Sequence, residues 1–364
     1  TAVRDVVADL TRARKARVHF ASAFDSASAP PSAPHHNEVD AALSSVDVPP
    51  YVVAVDYDFQ RRLYVLTASV EGRTEEEEEP VSFKASQWAY DKLSALFVPD
   101  TTACSFFEEV FCCLCRYEAL CGGDSNSSEG AGLQAALPQD AFRVLPPDTI
   151  EAFASPLNVS RSQDPARKYN KYYSLFKEDI VFGSLGNFFV AVQDLRSIAS
   201  LGRRAFFECN PPFDVFVMDR LVDRVEALLR EAAAAEQSRV ANADGTVDGQ
   251  SADGGVEDSC SAETGLDAID LQFLFVFPEW QTNAFRQESP ISRVLASTFL
   301  RETRVRRPNQ HRYVKGRCWN WSKLPEERGP PTAPGVSKSR IALLTSATRC
   351  GSEAAGLVDR ICKA

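Results

Sequence analysis

The sequence predicts an α/β protein, with a doubly wound sheet over residues 131–364 and an N-terminal, mostly helical accessory domain over residues 1–130. Three features carry this expectation. From Gly132 onward, strand-like, loop-like and helix-like segments alternate, which is how a chain builds a sheet covered by helices. Ala205–Cys209 and Leu271–Phe277 are short apolar runs of the kind that become buried strands. Met218–Arg230 sets Leu221, Val225, Leu228 and Leu229 on one side of an amphipathic helix.

In chain order, residues 1–20 read as a basic amphipathic helix, with Val3, Val6, Val7 and Leu10 on one face, and Ser22–His36 as an Ala/Ser/Pro-rich linker. Tyr51–Val55 and Leu63–Val70 are β-branched and aromatic runs around a polar turn, which predicts a hairpin; Glu75–Glu79 is a solvated loop. Two helices follow between Ser86 and Cys121. Trp88, Leu93, Leu96 and Phe97 recur at helical spacing in the first, and Phe106, Val110, Leu114 and Leu120 in the second. Gly122 and Gly123 stop the second helix, and the polar loop Asp124–Gly130 carries the domain boundary. Thr149–Ala154 is the first strand of the sheet. Ile180–Phe182 runs into Gly183-Ser184-Leu185-Gly186, where two glycines let backbone approach a ligand. Val190–Val192 reads as a further strand and Arg340–Thr345 as the last. Glu236–Thr264 lacks large apolar residues and is expected to be a disordered insertion.

With 364 residues, 44% hydrophobic and 10% aromatic, the chain has material for two domains and a sizeable core. No stretch is long and apolar enough to cross a membrane. Ten cysteines, several adjacent on one helix, fit reduced thiols in a cytosolic or nuclear setting. Cys112, Cys113, Cys115 and Cys121 have no nearby His and no zinc spacing, so no metal site is expected. The net charge of −10 opposes nucleic-acid binding, but much of it falls in the acidic segments Glu75–Glu79 and Asp244–Asp258, which leaves the folded remainder less acidic.

Asn210-Pro211-Pro212-Phe213 is the stretch with the most specific chemistry. Two prolines fix φ and lack N–H donors, so the strand before them must stop and a rigid loop must begin. In open α/β sheets ligands bind outside the C-terminal ends of strands. An exocyclic aromatic amine delocalises its lone pair into the ring. An Asn side-chain oxygen and a proline carbonyl that accept both its N–H groups make that nitrogen more nucleophilic, and Phe213 stacks on the base and fixes its approach. The same four residues also read as a proline-terminated strand followed by a core Phe.

Several separated motifs share their order with one family. They are Arg116-Tyr117 with Leu120 and Gly122, Gly132-Leu133-Gln134 with Leu137-Pro138, and Glu151–Asn158. Phe182-Gly183-Ser184 with Gly186, the Asn210 tetrad, Pro278-Glu279-Trp280 and Gln310-His311 complete the set. Over about residues 105–345 the chain resembles the catalytic region of the phosphorylated-CTD-interacting-factor family of cap-specific adenosine N6-methyltransferases. The resemblance implies a Rossmann-like methyltransferase core, S-adenosylmethionine as methyl donor (S-adenosylhomocysteine as product), and 7-methylguanosine-capped RNA beginning with adenosine as acceptor. It implies nuclear localisation, with the cytoplasm the alternative, and a monomer. Carried over by position, Asn210, Pro211, Pro212 and Phe213 form the catalytic tetrad, while Ser155, Pro156, Asn158, Asp179, Gly183 and Ser184 bind the donor. Asp179 reads either as a ligand for ribose hydroxyls or the amino group, or as an exposed loop carboxylate. A WW module needs two tryptophans about twenty residues apart; Trp88, Trp280, Trp319 and Trp321 form no such pair, so WW-mediated binding to the polymerase tail is not expected.

Arg301, Arg304, Arg306, Arg307, Arg312, Lys315 and Arg317 crowd into seventeen residues beside His311, Tyr313, Trp319 and Trp321. Guanidinium groups hold phosphates and aromatic faces stack on bases, so this cluster is expected to take the cap and triphosphate, or else to be a solvated basic face over buried tryptophans. A second cluster, Arg161, Arg167, Lys168 and Lys171 with Tyr169, Tyr172 and Tyr173, is expected to line the RNA path. Two other functions remain compatible with these residues: adenine N6-methylation of internal RNA or DNA, and a catalytically silent RNA-binding module.

Overall fold

The computed structural model describes residues 51–70, 81–102, 104–120, 136–199, 201–202, 204–244, 269–279, 289–314, 332–335, 338–346 and 356–363. The expectations for the first fifty residues, the glutamate run, Gly122 to Gly130, the Gly132 motif, residues 245–264, Trp280 and the Lys315–Trp321 part of the basic cluster lie outside them.

Among the described residues, the N-terminal part is a three-stranded antiparallel meander with two helices, so the mostly helical accessory domain is not confirmed. β1 (Tyr51–Asp58), β2 (Leu63–Val70) and β3 (Val81–Ser86) pair in that order. The third strand was hidden because the period changes from two to 3.6 without a loop. Ser86 ends β3 and its Oγ accepts the Ala89 N–H at 3.2 Å, so it is also the N-cap of α1 (Gln87–Leu96). Helix α2 (Phe106–Leu120) places Val110, Phe111, Leu114 and Tyr117 against Leu66, Ala85 and Leu93. Leu157, Val181 and Phe182 from later in the chain close this core and fasten it to the sheet region.

Among the described residues the main sheet has six strands in the order β5 (Lys171–Tyr172), β4 (Ile150–Glu151), β6 (Arg204–Cys209), β7 (Asp270–Pro278), β11 (Ser339–Thr345), β8 (Leu300–Arg306). The first four run parallel, and β11 lies antiparallel between β7 and β8. This mixed α/β, mostly parallel arrangement is compatible with a Rossmann-like fold. Strands β9 (Arg312–Val314) and β10 (Thr332–Pro334) form a separate ribbon. Successive β6 residues point to opposite faces, so Phe207 packs into one core and Phe206 into the other, and burial on both sides explains the unalternated sequence. One face is covered by α4 (Phe188–Ala191), α5 (Leu195–Ala199), α6 (Val215–Asp244) and α7 (Pro290–Ala296); the other by α3 (Gln139–Phe142) and α8 (Leu357–Lys363).

Four sequence expectations change. The strand at Thr149–Ala154 shrinks to Ile150–Glu151. Val190–Val192 is the end of α4 and its C-cap, because Asn187 caps a helix there by accepting the Phe189 N–H at 3.0 Å. Glu236–Asp244 continues α6 rather than opening an insertion, as its alanines and the Arg239–Glu236 pair at 2.9 Å favour helix. Leu300–Arg306, read only as part of a basic cluster, is an edge strand, where charged side chains are tolerated.

Candidate active site

Strand β4 lies beside β5 on one side and β6 on the other, so the strand order reverses between β4 and β6. A ligand crevice is expected at such a switch point, outside the strands' C-terminal ends. Ser155 and Asn158 lie beyond β4 and the Asn210 tetrad directly beyond β6, and a crevice does open between them. It measures about 60 Å3, with apolar walls from Phe153, Phe188, Phe189 and Pro212 and polar groups from Ser155, Asn158, Ser174 and Asn187. None of its lining residues is charged.

The loop after β4 is held by its own side chains. Asn158 Oδ1 accepts the Ser155 amide at 2.7 Å and the Ser155 hydroxyl at 3.0 Å, while the Asn158 amide donates to Ser155 Oγ at 3.2 Å. Pro156 is buried behind this turn. Gly183 sits at φ +79 as the left-handed cap of the 3-10 turn Lys177–Phe182, a conformation that favours glycine. Ser184 bonds Ser174 Oγ at 2.7 Å and accepts the Gly186 amide at 3.1 Å. Gly183 and Ser184 therefore support the crevice wall through Ser174 and do not line it.

Asp179 is not the exposed loop carboxylate of one sequence reading, and it does not line the crevice. It is fully buried, with Oδ1 paired to Arg116 at 2.9 Å and Oδ2 accepting the Tyr117 hydroxyl. Burial raises its carboxyl against the opposing pull of Arg116. It thereby ties α2 to the 3-10 turn and holds Tyr117 at the crevice edge.

In the tetrad, Asn210 and Pro211 are buried and Pro212 and Phe213 half-buried. The Pro212 carbonyl accepts the Asp214 amide at 2.7 Å. Asp214 Oδ1 in turn accepts the Phe216 and Val217 amides at 2.9 and 3.0 Å, so the loop is locked to the N-terminus of α6.

On the opposite face of the sheet from α6, a far larger cleft of about 1080 Å3 brings the two basic clusters together. Arg306, His311, Arg312 and Tyr313 lie on one side, and Arg161 and Tyr169 on the other. Its lining carries six Lys or Arg residues (Lys92, Arg143, Arg161, Arg306, Arg312, Lys363) against one carboxylate, Asp140. Arg304 and Arg307 do not line it; Arg304 instead pairs with Asp359 at 2.6 Å. Arg167 and Lys168 also lie off the lining, Arg167 near Asp164 at 3.8 Å and Lys168 over the Tyr169 ring. Tyr172 and Tyr173 are core residues, with the Tyr172 hydroxyl donating to the Phe182 carbonyl at 2.8 Å. Lys92, missed in sequence because it sits in an apolar helical stripe, is buried near the cleft, donating to the Leu157 carbonyl at 3.3 Å and lying over Trp88.

Beneath the cleft, Glu151 on β4 and Glu208 on β6 are register partners, and both are buried. Glu151 Oε1 accepts the Ser160 amide at 2.7 Å and the Asn170 side-chain amide at 3.0 Å. Burial pushes the Glu151 carboxyl up to about 7, and burial plus the neighbouring Glu151 charge raises Glu208 well above the usual range.

A mostly parallel α/β sheet with an uncharged crevice at its switch point and a basic cleft on its other face is compatible with the Rossmann-like class of folds. Residues 90–241 match a family model described as the phosphorylated CTD interacting factor 1 WW domain. A Mus musculus protein named mRNA (2'-O-methyladenosine-N(6)-)-methyltransferase is 33% identical over 158 residues, which cover 41% of this chain and 20% of that relative. A Homo sapiens protein of the same name is 32% identical over 154 residues, 40% of this chain and 19% of the relative. The match therefore spans about a fifth of these curated relatives' length. The resemblance read from separated motifs is supported: across residues 90–241 the chain is related to the phosphorylated-CTD-interacting-factor family. The matched segment contains no tryptophan and includes the Asn210–Phe213 tetrad.

Proposed function

We propose that this protein is an mRNA cap-specific adenosine N6-methyltransferase that acts on the first transcribed adenosine of 7-methylguanosine-capped RNA. The reading is carried by the position of Asn210–Phe213 at the sheet's switch point, where Pro212 lines the uncharged crevice and the Phe213 ring meets Tyr313 of the basic cleft. The activity for which the two relatives are named supports it. No described helix is long and apolar enough to cross a membrane.

The crevice fits S-adenosylmethionine by chemistry. Phe153 and Phe189 offer apolar faces for an adenine, and Ser155, Asn158 and Asn187 offer polar groups for the amino-acid end. At about 60 Å3 it is smaller than the several hundred Å3 usual for ligand sites. When bound, the donor supplies an electrophilic methyl group. The chain's own residues prepare the acceptor. Asn210 Oδ1 and the Pro211 carbonyl accept the two N–H groups of the adenine amine, the Pro212 carbonyl being taken by Asp214. Phe213 stacks on the base. Arg306 and Arg312 hold phosphates of the cap bridge in the cleft. Asp179, Gly183 and Ser184 act at one remove by shaping the crevice wall. On this reading residues 131–364 carry catalysis, residues 51–120 complete the cleft and crevice, and the protein works in the nucleus.

Methylation of capped and uncapped RNAs that begin with adenosine, in the presence of S-adenosylmethionine, tests the proposal. Activity that depends on the cap and is competed by a cap analogue is expected. Equal activity without the cap would favour an internal adenine methyltransferase, and absence of donor binding by calorimetry would favour a silent RNA-binding module.

A further inference from the structure

One side chain, Tyr313, joins the acceptor tetrad to the basic cleft. Its ring meets Phe213 edge-on, with centroids 5.9 Å apart and planes at 74°, and it also lines the cleft. Its hydroxyl lies 2.8 Å from Ser339 Oγ, which lies 2.9 Å from His311 Nε2. His311 Nδ1 is 3.2 Å from the Arg307 carbonyl oxygen.

A carbonyl can only accept, so Nδ1 carries the hydrogen and Nε2 of the neutral ring is an acceptor. Ser339 must then donate to His311, and Tyr313 must donate to Ser339. Each proton in the relay has one place. Ser339 is buried at the start of β11, which anchors the relay to the sheet. Gly335 holds the other end: a Cβ there would lie 2.0 Å from His311 Nε2, so the imidazole occupies space that only glycine leaves open. The Gly335 amide also donates to the His311 carbonyl at 2.9 Å.

We propose that Tyr313 is a positioning residue for the acceptor base, held by the Ser339–His311 relay so that the tilt of Phe213 is set by the same turn that lines the basic cleft. Arg306 and Arg312 flank His311 on that turn, and the Arg306 guanidinium donates to the Gln310 carbonyl at 2.7 Å. Phosphates gripped by these arginines fix the turn, the turn fixes His311, and the relay passes that order to the ring against Phe213. Binding of the RNA and alignment of the adenine amine become one event. The inference rests on the reading of Phe213 as the stacking residue.

Steady-state kinetics of Tyr313→Phe, Ser339→Ala and the double variant on capped RNA test it, with donor binding by calorimetry as the check on folding. Each single variant should lower kcat about tenfold, a barrier change of about 1.4 kcal/mol, with KM for RNA and donor affinity nearly unchanged. Because both cut the same relay, the double variant should fall no further than either single one. Gly335→Ala, which displaces His311, should match them; if it does not fold, the other variants still decide. Unchanged kcat, additive losses, or a raised KM at constant kcat would each overturn the relay. A wild-type protein that makes no N6-methyladenosine would take down both the site reading and this inference, whereas an active wild type with equally active variants sinks the relay alone.

Discussion

Glu151 and Glu208 are direct neighbours across parallel strands, two buried carboxyls side by side under the basic cleft. Like charges so close and so dry cannot both ionise cheaply, so the pair retains a proton near neutral pH.

Stability should therefore depend on pH in a definite sense. Burial raises the folded-state value of Glu151 from 4.5 to about 7, so between those values the folded protein binds more protons than the unfolded chain. Stability then falls as pH rises through that window. Thermal melts should give a higher Tm at about pH 5 than at about pH 8. Glu208→Gln, which keeps the shape and removes one charge, should flatten the slope and raise Tm at the alkaline end. A variant with an unchanged slope would show that the pair is not its source.

Asp179 should behave as a structural anchor. Asp179→Ala leaves the Arg116 charge in a largely buried position and is expected to cost about 3–5 kcal/mol in urea unfolding. Donor affinity should fall with it, because Tyr117 loses its hydrogen bond at the crevice edge. If stability held and only donor affinity dropped, Asp179 would be a direct ligand after all.

Asn158 organises the loop after β4 and also faces the crevice. Asn158→Ala should weaken S-adenosylmethionine binding about tenfold in calorimetry, the loss of about 1.4 kcal/mol expected for a hydrogen bond and its turn.

The arginines should separate into two groups. Arg306→Ala and Arg312→Ala should weaken RNA binding and each reduce the salt slope of log K by about 0.7, as removal of one phosphate contact to a single strand does. Arg304→Ala and Arg167→Ala should leave that slope nearly unchanged, since neither lines the cleft. Filter binding at several salt concentrations reads both.

Much of this was legible in the residues. Ala205–Cys209, Leu271–Phe277, Arg340–Thr345 and the buried stripe of α6 announced themselves, because burial on both faces or at helical period leaves a plain apolar pattern. The two-residue strands β4 and β5 are too short for any period to register. β3 was masked by its direct passage into α1, and β8 by its arginines. At the site, the end of β6 at Cys209 and the loop that follows were readable, because two successive prolines stop a strand in any context. The burial of Asp179 was not, since its partners Arg116 and Tyr117 lie over sixty residues away in sequence. The meeting of the two basic clusters across one cleft likewise depends on the sheet order, which no local pattern encodes.

The most direct test is mass spectrometry of nucleosides from 7-methylguanosine-capped, adenosine-initiated RNA incubated with S-adenosylmethionine and either the wild-type protein or Asn210→Ala. The predicted result is N6-methyladenosine at the cap-adjacent position with the wild type, and a loss of at least about a hundredfold in turnover for Asn210→Ala, the scale of removing one preorganised acceptor, with donor binding retained. Methylation by Asn210→Ala at the wild-type rate, or methyl groups found only at internal adenosines, would contradict the account.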